Sequence, residues 1–340
     1  MLENPVGIDI REPLLSWNIE SPERDVMQSA YRILVASTPE FLEKDTADLW
    51  DTGKTAGSNT SGISYSGKEL NSYMKVYWKV KSWSGSSESA WSDIQHWSMG
   101  PLYQNEWRGR WIGFDQPFPW DADEFNSRLS ARYLRKEFDL PEDKTVESAT
   151  IHIIGLGLYE LYLNGTREGN QVLAPAPTNY ERNVKYNSFD ITDNISAGTN
   201  AIGIILGNGR YYSMRQHYKP YKIMNFGYPK LLLNLVVHFT DGTRWILSTD
   251  TSWKGTADGP IRSNNEYDGE IYDARKDLGN WTEAGFDDSN WLNAEFVEEP
   301  GGAFQAQLNE NMAIMDTVHP VDISMLKPGI YILDMGQNMA

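Results

Sequence analysis

Residues 231–247 read LLLNLVVHFTDGTRWIL and carry the strongest fold signal in the chain. Every second residue from 231 to 239 is apolar, which is the period of a strand with one face in a core. Asp241-Gly242 follows, and this pair accepts the positive φ angles of a tight hairpin turn. Trp245 and Leu247 then resume the alternation. The stretch therefore predicts an antiparallel hairpin in a β-sheet.

The same two-residue period recurs elsewhere between turn residues. In residues 73–83, Val76, Trp78 and Val80 share one side of a predicted strand. Lys79 lies on the other side, which is typical of a strand with one buried face. Short strands separated by turn residues are typical of sandwich or barrel domains.

Helical periodicity, in contrast, is scarce in this sequence. Only Pro39–Lys44 and Asp287–Trp291 have the composition of a helical turn, and each opens with a residue suited to a helix start. Trp17, Trp50, Trp78 and Trp91 are interpreted as core residues of small sandwiches rather than as sugar platforms. We therefore predict an all-β chain of tandem β-sandwiches.

Two breaks divide the chain. Gly100-Pro101 separates a predicted strand from a new aromatic cluster, and Glu299-Pro300-Gly301-Gly302 precedes a final piece with at most two or three strands. We predict β-sandwiches at 1–100 and 101–299 and the first strands of a third, truncated β-domain at 300–340. That last piece is expected to expose apolar residues, and so to be disordered, to add strands to a neighbour or to lower solubility. The residues concerned are Met325, Leu326, Ile330, Tyr331 and Ile332.

Composition excludes several classes of protein. The chain has 340 residues, with 30 Lys and Arg against 47 Asp and Glu, which gives a formal charge of −17. This balance disfavours nucleic-acid binding, which needs clustered basic side chains. The chain has no Cys, so disulfide bridges and thiol nucleophiles are excluded. No apolar run reaches the roughly 18 residues of a membrane span, and the first residues lack a signal-peptide pattern, so we expect no membrane association.

Two segments combine neutral hydrogen-bonding groups with aromatic side chains, a mixture that binds sugars. The first is 169–182, which an ordered surface loop would also explain. The second is 208–228, which contains Asn208 and Asn225. Both asparagines are candidate substrate-binding residues because of their amide chemistry. The Gly-x-Gly at 207–209 lacks the remaining pattern of a nucleotide fingerprint, so nucleotide binding is rejected.

Residues 266–273 carry four carboxylates. Such groups coordinate Ca²⁺ or act as an acid and base pair, and the alternative is a structural role with Asp273 paired to Arg275. Alternate strand residues point to opposite faces, so only part of the set can converge. We keep Asp268 and Glu270 as candidate substrate-binding residues. The same geometry disfavours a self-sufficient hydrolase that works with Asp268, Glu270 and Asp273.

Other catalytic signatures do not occur. The five histidines show no metal-binding spacing, and there is no Gly-x-Ser-x-Gly nucleophile elbow. A transition-metal site and a serine hydrolase therefore have little support.

Three groups of motifs follow one another along the chain. The first comprises Asn4-Pro5-x-Gly7-Ile8-Asp9, Pro13-Leu14-Leu15-Ser16-Trp17 and Tyr77-Trp78-Lys79-Val80. The second comprises Leu161-Tyr162-Leu163-Asn164-Gly165, Leu206-Gly207-Asn208-Gly209 and Tyr267-Asp268-Gly269-Glu270. The third is Gly336-Gln337-Asn338-Met339-Ala340 with the residues before it. In this order they resemble bacterial α-L-rhamnosidases of glycoside hydrolase family 78: a fibronectin-III-like module, a jelly-roll or galactose-binding-like sandwich and the opening of a third β-domain.

The resemblance implies hydrolysis of terminal α-L-rhamnosyl linkages with inversion, by carboxylates on an (α/α)₆ barrel that lies beyond residue 340 in the family's domain order. The present chain is then expected to be an accessory, substrate-orienting region that is inactive alone, and its partner is the missing catalytic domain. The alternative is an autonomous carbohydrate-binding module for rhamnose-containing oligosaccharides or glycosides. A periplasmic or extracellular location is favoured over a cytoplasmic one.

The resemblance also bears on calcium. In some relatives an Asp-Asn pair in the loop after the Leu-Asn-Gly hairpin holds a Ca²⁺ that binds terminal rhamnose. The equivalent pair here is Gly169-Asn170, so Asn170 alone is carried over as a substrate-binding residue. Loss of the carboxylate removes a charge that favours the cation. We expect no required cofactor, and Ca²⁺-dependent binding stays open.

Overall fold

The protein is described by a computed structural model, which covers residues 2–121, 129–212, 225–265 and 269–338. Over these ranges the chain is nearly all β, which confirms the predicted fold class. No helix in them is long and apolar enough to cross a bilayer.

The first sandwich is built from eight short strands. They are β1 (Leu14–Leu15), β2 (Ala30–Ala36), β3 (Trp50–Asp51), β4 (Thr55–Ala56), β5 (Ile63–Ser64), β6 (Lys75–Ser84), β7 (Ser87–Glu88) and β8 (Gln95–Ser98). β1 and β5 form one sheet, and the other has the order β3-β2-β6-β7, with β4 on β2 and β8 on β6. Ile33, Val35, Val76 and Val80 are buried between the sheets, and Trp17, Trp50 and Trp78 pack against this core, as predicted.

A helix covers the other side of β6. Helix α1 spans Pro39–Glu43, which confirms the helical turn predicted there. Lys79 lies on this side of β6 and is only 5% exposed, because its Nζ donates to the Leu42 carbonyl and to the Asp45 carboxylate. Both faces of the strand are therefore covered, in contrast to the single buried face that the alternation predicts.

The second sandwich contains fifteen strands in the described residues. They are β9 (Ile112–Gly113), β10 (Arg132–Leu140), β11 (Val146–Leu156), β12 (Leu158–Leu163), β13 (Thr166–Arg167), β14 (Asn183–Asp190), β15 (Gly198–Gly207), β16 (Lys230–Phe239), β17 (Arg244–Ser248), β18 (Lys254–Thr256), β19 (Ile261–Asn265), β20 (Gly269–Tyr272), β21 (Leu292–Asn293), β22 (Glu295–Phe296) and β23 (Ala303–Ala306). One sheet has the order β13-β12-β15-β10-β18-β21. The other has the order β22-β9-β16-β11-β14-β23, with β17 on β16, and β19 pairs with β20 outside both.

The predicted hairpin of residues 231–247 is confirmed as β16 and β17. Val237 lies opposite Trp245, and Gly242 has a φ of +79° in the turn. The apolar set of β16 that includes Leu231 and Leu233 enters the main core between the sheets. The opposite side of the strand is also buried, because Leu232 packs in a second cluster with Trp107 from the connection between the sandwiches.

Strand β23 joins a sheet of the second sandwich by pairing with β14, which lies far from it in sequence. It pairs parallel to β14, with Ala303 opposite Asn183. Its last residue, Ala306, donates its amide to Asp9 Oδ2 of the first sandwich at 2.9 Å. Leu308 follows and packs against the cores of both sandwiches. β23 therefore touches both halves of the structure.

Two short segments, residues 104–106 and 274–276, form 3₁₀ turns. The helical turn predicted at 287–291 is wrong. There, Asp287 Oδ1 accepts the Ser289 amide at 3.1 Å, which holds the backbone in a turn instead.

The last described strands are β24 (Asp322–Lys327) and β25 (Ile330–Asp334), which form a two-stranded hairpin by themselves. Every residue of both strands is exposed. The apolar residues that were expected to be uncovered here range from 44% exposed at Ile330 to 66% at Leu326.

Candidate functional site

Asn208 lies at the end of β15 and is 1% exposed. Its backbone amide donates to Asn264 Oδ1 at 2.7 Å, and its Nδ2 donates to the Asn264 carbonyl at 2.5 Å. Asn264 in turn donates from Nδ2 to the Leu129 carbonyl at 3.0 Å. Asn208 therefore ties the end of β15 to β19, and its buried Oδ1 has no hydrogen-bond partner among the described residues.

Glu270 stands opposite Asn264 across the β19–β20 ladder. Partial burial, and then the nearby Glu160 carboxylate, raise the pKa of Glu270. Glu160 itself accepts the Tyr162 hydroxyl at 2.8 Å and pairs with Arg167 at 3.3 Å. Asn208 and Glu270 are thus brought to the same region through Asn264.

Asp268, the other predicted acidic residue, lies outside the described residues. Asp273 is described, and Arg275 binds its two carboxylate oxygens at 2.8 Å each. The structural pairing of these two residues is confirmed, and Arg275 lowers the pKa of Asp273 to about 2.

The two remaining candidates lie on exposed loops. Asn225 Oδ1 accepts the Gly227 amide at 2.9 Å. Asn170 follows the predicted Asn164-Gly165 turn, which has φ angles of +48° and +85° and joins β12 to β13. The Asn170 carbonyl accepts the Ile314 amide at 3.0 Å. No hydrogen bond in the described ranges joins Asn170 or Asn225 to Asn208 or Glu270. Their assignment to sugar binding stays a prediction.

A metal ion is held by several His, Asp or Glu side chains that converge on one point. Within the ranges that the structure describes, no three His, Asp or Glu side chains come together as a metal site would require. Calcium binding near Asn170 therefore remains an untested prediction.

A close contact between the two sandwiches, which we call the seam, was missed by sequence reasoning. It is formed by Gly7, Tyr73, Trp107, His152 and Tyr186. The Tyr186 hydroxyl donates to the Gly7 carbonyl at 3.0 Å, and His152 is 1% exposed, with its ring 5.5 Å from that of Tyr73. A histidine in the otherwise apolar run of β11 was the available signal, because a buried imidazole needs a polar or aromatic neighbour.

The connection between the sandwiches is held in place by hydrogen bonds of Glu106. Glu106 Oε2 accepts the Ser72 hydroxyl at 2.6 Å and the amides of Leu102 and Tyr103 at 2.9 and 3.0 Å. The Glu106 carbonyl accepts Asn234 Nδ2, from β16, at 2.9 Å. One residue of the connection therefore bonds to both sandwiches.

Comparison with known proteins gives the two parts of the chain separate matches. Residues 144–316 match the model of the alpha-L-rhamnosidase N-terminal domain. Residues 1–103 match the Rha78A-like, N-terminal immunoglobulin domain.

The similar proteins are much longer than this chain. An α-L-rhamnosidase from Formosa agariphila is 36% identical over 99% of this chain and 37% of its own length, and one from an Alteromonas species is 32% identical over 99% and 36%. The α-L-rhamnosidase structure from Dictyoglumus thermophilum is 37% identical, with a TM-score of 0.84 over 99% of this chain and 38% of its own. The Streptomyces avermitilis enzyme, crystallised with L-rhamnose, shares the fold at 22% identity and a TM-score of 0.86. This chain belongs to the α-L-rhamnosidase family and corresponds to the N-terminal region of its longer members.

Proposed function

We propose that this chain is the N-terminal accessory region of an α-L-rhamnosidase that hydrolyses terminal α-L-rhamnosyl linkages. Its own work is to orient the rest of the enzyme and the substrate, and cleavage takes place elsewhere in the longer polypeptide. The observation that carries the proposal is the uncovered apolar hairpin β24–β25, because exposed apolar patches of this kind mark interaction surfaces.

The hairpin is apolar on both faces. Tyr331 and Ile332 are neighbours in β25 and point to opposite sides, and they are 56% and 49% exposed. Met325, opposite Tyr331 in the ladder, is 60% exposed. An isolated two-stranded hairpin is marginal in water, and three or more strands or a packed layer are needed to stabilise it. Cover on both sides by further β-structure of the same enzyme fits this pattern. The seam would then hold the first two sandwiches in a fixed position relative to the β-structure that covers the hairpin.

The carboxylates of the second sandwich agree with a non-catalytic role. An inverting glycosidase needs an acid and a base on either side of the scissile bond, roughly 6.5–9.5 Å apart, with a water between them. The Glu160 carboxylate helps to raise the pKa of Glu270, but both oxygens of Glu160 are engaged by Tyr162 and Arg167. This arrangement favours a structural carboxylate over a general base.

Met325→Lys combined with Ile332→Lys tests the proposal. In the isolated chain we expect a change within about 0.5 kcal/mol in the free energy of unfolding, because both side chains are exposed. In the full-length rhamnosidase that contains this chain, we expect a loss of about 2 kcal/mol or more, since two ammonium groups would be buried. Denaturant unfolding of both forms measures the difference.

Met27→Lys is the matched control, because Met27 is 72% exposed on the first sandwich, away from the hairpin. It should leave both forms unchanged. If the double variant were as harmless as Met27→Lys in the full-length enzyme, the hairpin would not be an internal contact and the proposal would fail.

The second candidate function is the autonomous carbohydrate-binding module. The buried Oδ1 of Asn208, which has no hydrogen-bond partner within the described ranges, favours it, because sugar recognition uses such amide groups. The rhamnose in the Streptomyces relative also supports a rhamnose-containing ligand.

Calorimetric titration of the chain with L-rhamnose, with and without Ca²⁺, separates the two functions. The accessory role predicts no binding heat at millimolar sugar. The module predicts heat that is lost in Asn170→Ala and kept in Asn18→Ala, an exposed amide on the first sandwich that serves as the control.

A further inference from the structure

One histidine, His152, belongs to the seam, and His96 and His238 lie close to it: His238 lines a cavity with His152, and His96 is acted on by Lys75 and Asp190 from the same cavity. His96 is in β8 of the first sandwich, and His152 and His238 are on β11 and β16 of the second. His152 and His238 point away from the main core, because Ile151, Ile153 and Val237 occupy the core side of the same strands. His96 points away from the core of the first sandwich, because the next residue, Trp97, occupies the core side of β8.

The imidazoles have few partners that could hold a proton. His152 Nδ1 lies 2.8 Å from Ser188 Oγ, and its Nε2 is buried without a hydrogen-bond partner among the described residues. The Nε2 of His238 is also buried without a hydrogen-bond partner among the described residues. Around His152 stand the rings of Tyr73, Trp107 and Tyr186, at 5.5, 6.5 and 6.1 Å between ring centres.

A cavity of about 20 Å³, room for about one water molecule, lies between the sandwiches at this place. It is lined by Tyr73, Lys75 and Ser98 of the first sandwich and by His152, Asp190 and His238 of the second.

The charged groups that face the histidines come from both sandwiches. Lys75 and Asp190 pair across the seam at 3.6 Å, and both act on His96. Arg244 lies 5.4 Å from the Tyr73 ring and acts on His238 together with Glu147. These charges act on His96 and His238 in both signs. Lys75 and Asp190 also line the cavity beside His152, but among the described residues the hydrogen-bond partner of its imidazole is the neutral Ser188.

We propose that the seam is an acid-sensitive latch: protonation of His152, assisted by His96 and His238, separates the two sandwiches while each sandwich keeps its fold. The inference concerns this chain alone and does not rest on the proposed function. An imidazolium at position 152 would be buried without a hydrogen-bonded carboxylate among the described residues, and opening of the seam returns it to water. The main core of the second sandwich and the core of the first share no residue, so opening the seam leaves each of them buried.

The direction of the pH effect follows from the titration of the three groups. Burial lowers the pKa of His152 to about 3, and burial is also the main cause of the lowered pKa of His96 and of His238. An exposed histidine titrates near 6.5, so the closed seam is fully favoured above that pH and the open form takes up more protons below it. For His152 alone, the closing constant is expected to fall by nearly tenfold per pH unit well below pH 6.5, or about 50-fold between pH 6.5 and 4.5.

Small-angle scattering and far-UV circular dichroism of the chain between pH 7 and 4.5 test the latch. We expect the radius of gyration to rise while the β-spectrum stays unchanged. His152→Gln should move the midpoint to lower pH, and His319→Gln, an exposed histidine outside the seam, should not.

The double variant His96→Gln with His238→Gln provides the same test if His152→Gln does not fold, and its midpoint should also fall. A constant radius of gyration down to pH 4.5 would overturn the inference. So would loss of the β-spectrum together with the change in size, or wild-type midpoints in the folded histidine variants.

Discussion

Asp121→Ala is expected to destabilise the second sandwich by about 3–5 kcal/mol, because it leaves a buried guanidinium without its counter-charge. Arg132 Nη2 binds Asp121 Oδ2 at 2.8 Å, and the two side chains are 1% and 0% exposed. Asp121 Oδ1 also accepts the Ser130 amide at 2.7 Å. Denaturant unfolding of the purified chain measures the loss.

Two further variants show whether the charge is responsible. Asp258→Ala removes a carboxylate that pairs with Arg262 and Lys276 at the surface, where it is 39% exposed, so a loss of no more than about 1 kcal/mol is expected. Adding Arg132→Met to Asp121→Ala should restore part of the stability, since no buried charge is left. Equal losses for Asp121→Ala and Asp258→Ala would contradict the explanation.

The same ion pair has a pH dependence. Burial is the largest single influence and would raise the pKa of Asp121, but the hydrogen bonds and charge of Arg132 and the amides of Phe118 and Ser130 together outweigh it, so the net pKa lies below the ordinary value. The pair therefore contributes its full stability above the pKa of an unfolded aspartate, about 3.9, and loses it as the pH falls through the lower folded value.

Gly7→Ala is expected to lower the free energy of unfolding by about 3 kcal/mol, and to do so at the seam. Gly7 has a φ of +69°, which disfavours a side chain by about 1–2 kcal/mol. A Cβ at this position would also overlap Ser188 Oγ and Cβ and lie 3.2 Å from His152 Cε1, and overpacking of this kind costs about 1–3 kcal/mol. Denaturant unfolding of the variant measures the combined loss in the free energy of unfolding.

Gly53→Ala separates the two contributions. Gly53 has a similar φ of +59°, but an added Cβ would meet nothing within 4 Å. Its loss should therefore be limited to the conformational part, about 1–2 kcal/mol. Ser188→Gly in the Gly7→Ala background should recover the remainder. If the two glycine variants were equally destabilised, close packing at the seam would have no energetic role.

The parts of the fold that follow from neighbouring residues were predictable. The β16–β17 hairpin and the Asn164-Gly165 turn are encoded by local alternation and by pairs that accept positive φ. The second buried face of β16 was not, because Trp107 comes from a distant part of the chain. Lys79 was missed for the same reason, since α1 covers it from outside its strand.

The candidate site shows the same limit. Asn208 was selected for its amide, and its side chain proves to be committed to Asn264, a contact that depends on the pairing of strands far apart in sequence. The seam needs residues from both sandwiches, so no single motif reveals it. Glu270 was selected because its carboxylate stands in a dense acidic run, and its assignment to substrate binding stays a prediction.

Strand β23 has a mechanical consequence. It lies parallel to β14, so a force that pulls the β24–β25 hairpin away along this strand loads its hydrogen bonds together, in shear, and not one after another. Ala306 and Leu308 pass the same load to the first sandwich. Rotation of a domain that docks on the hairpin would thus rotate both sandwiches together.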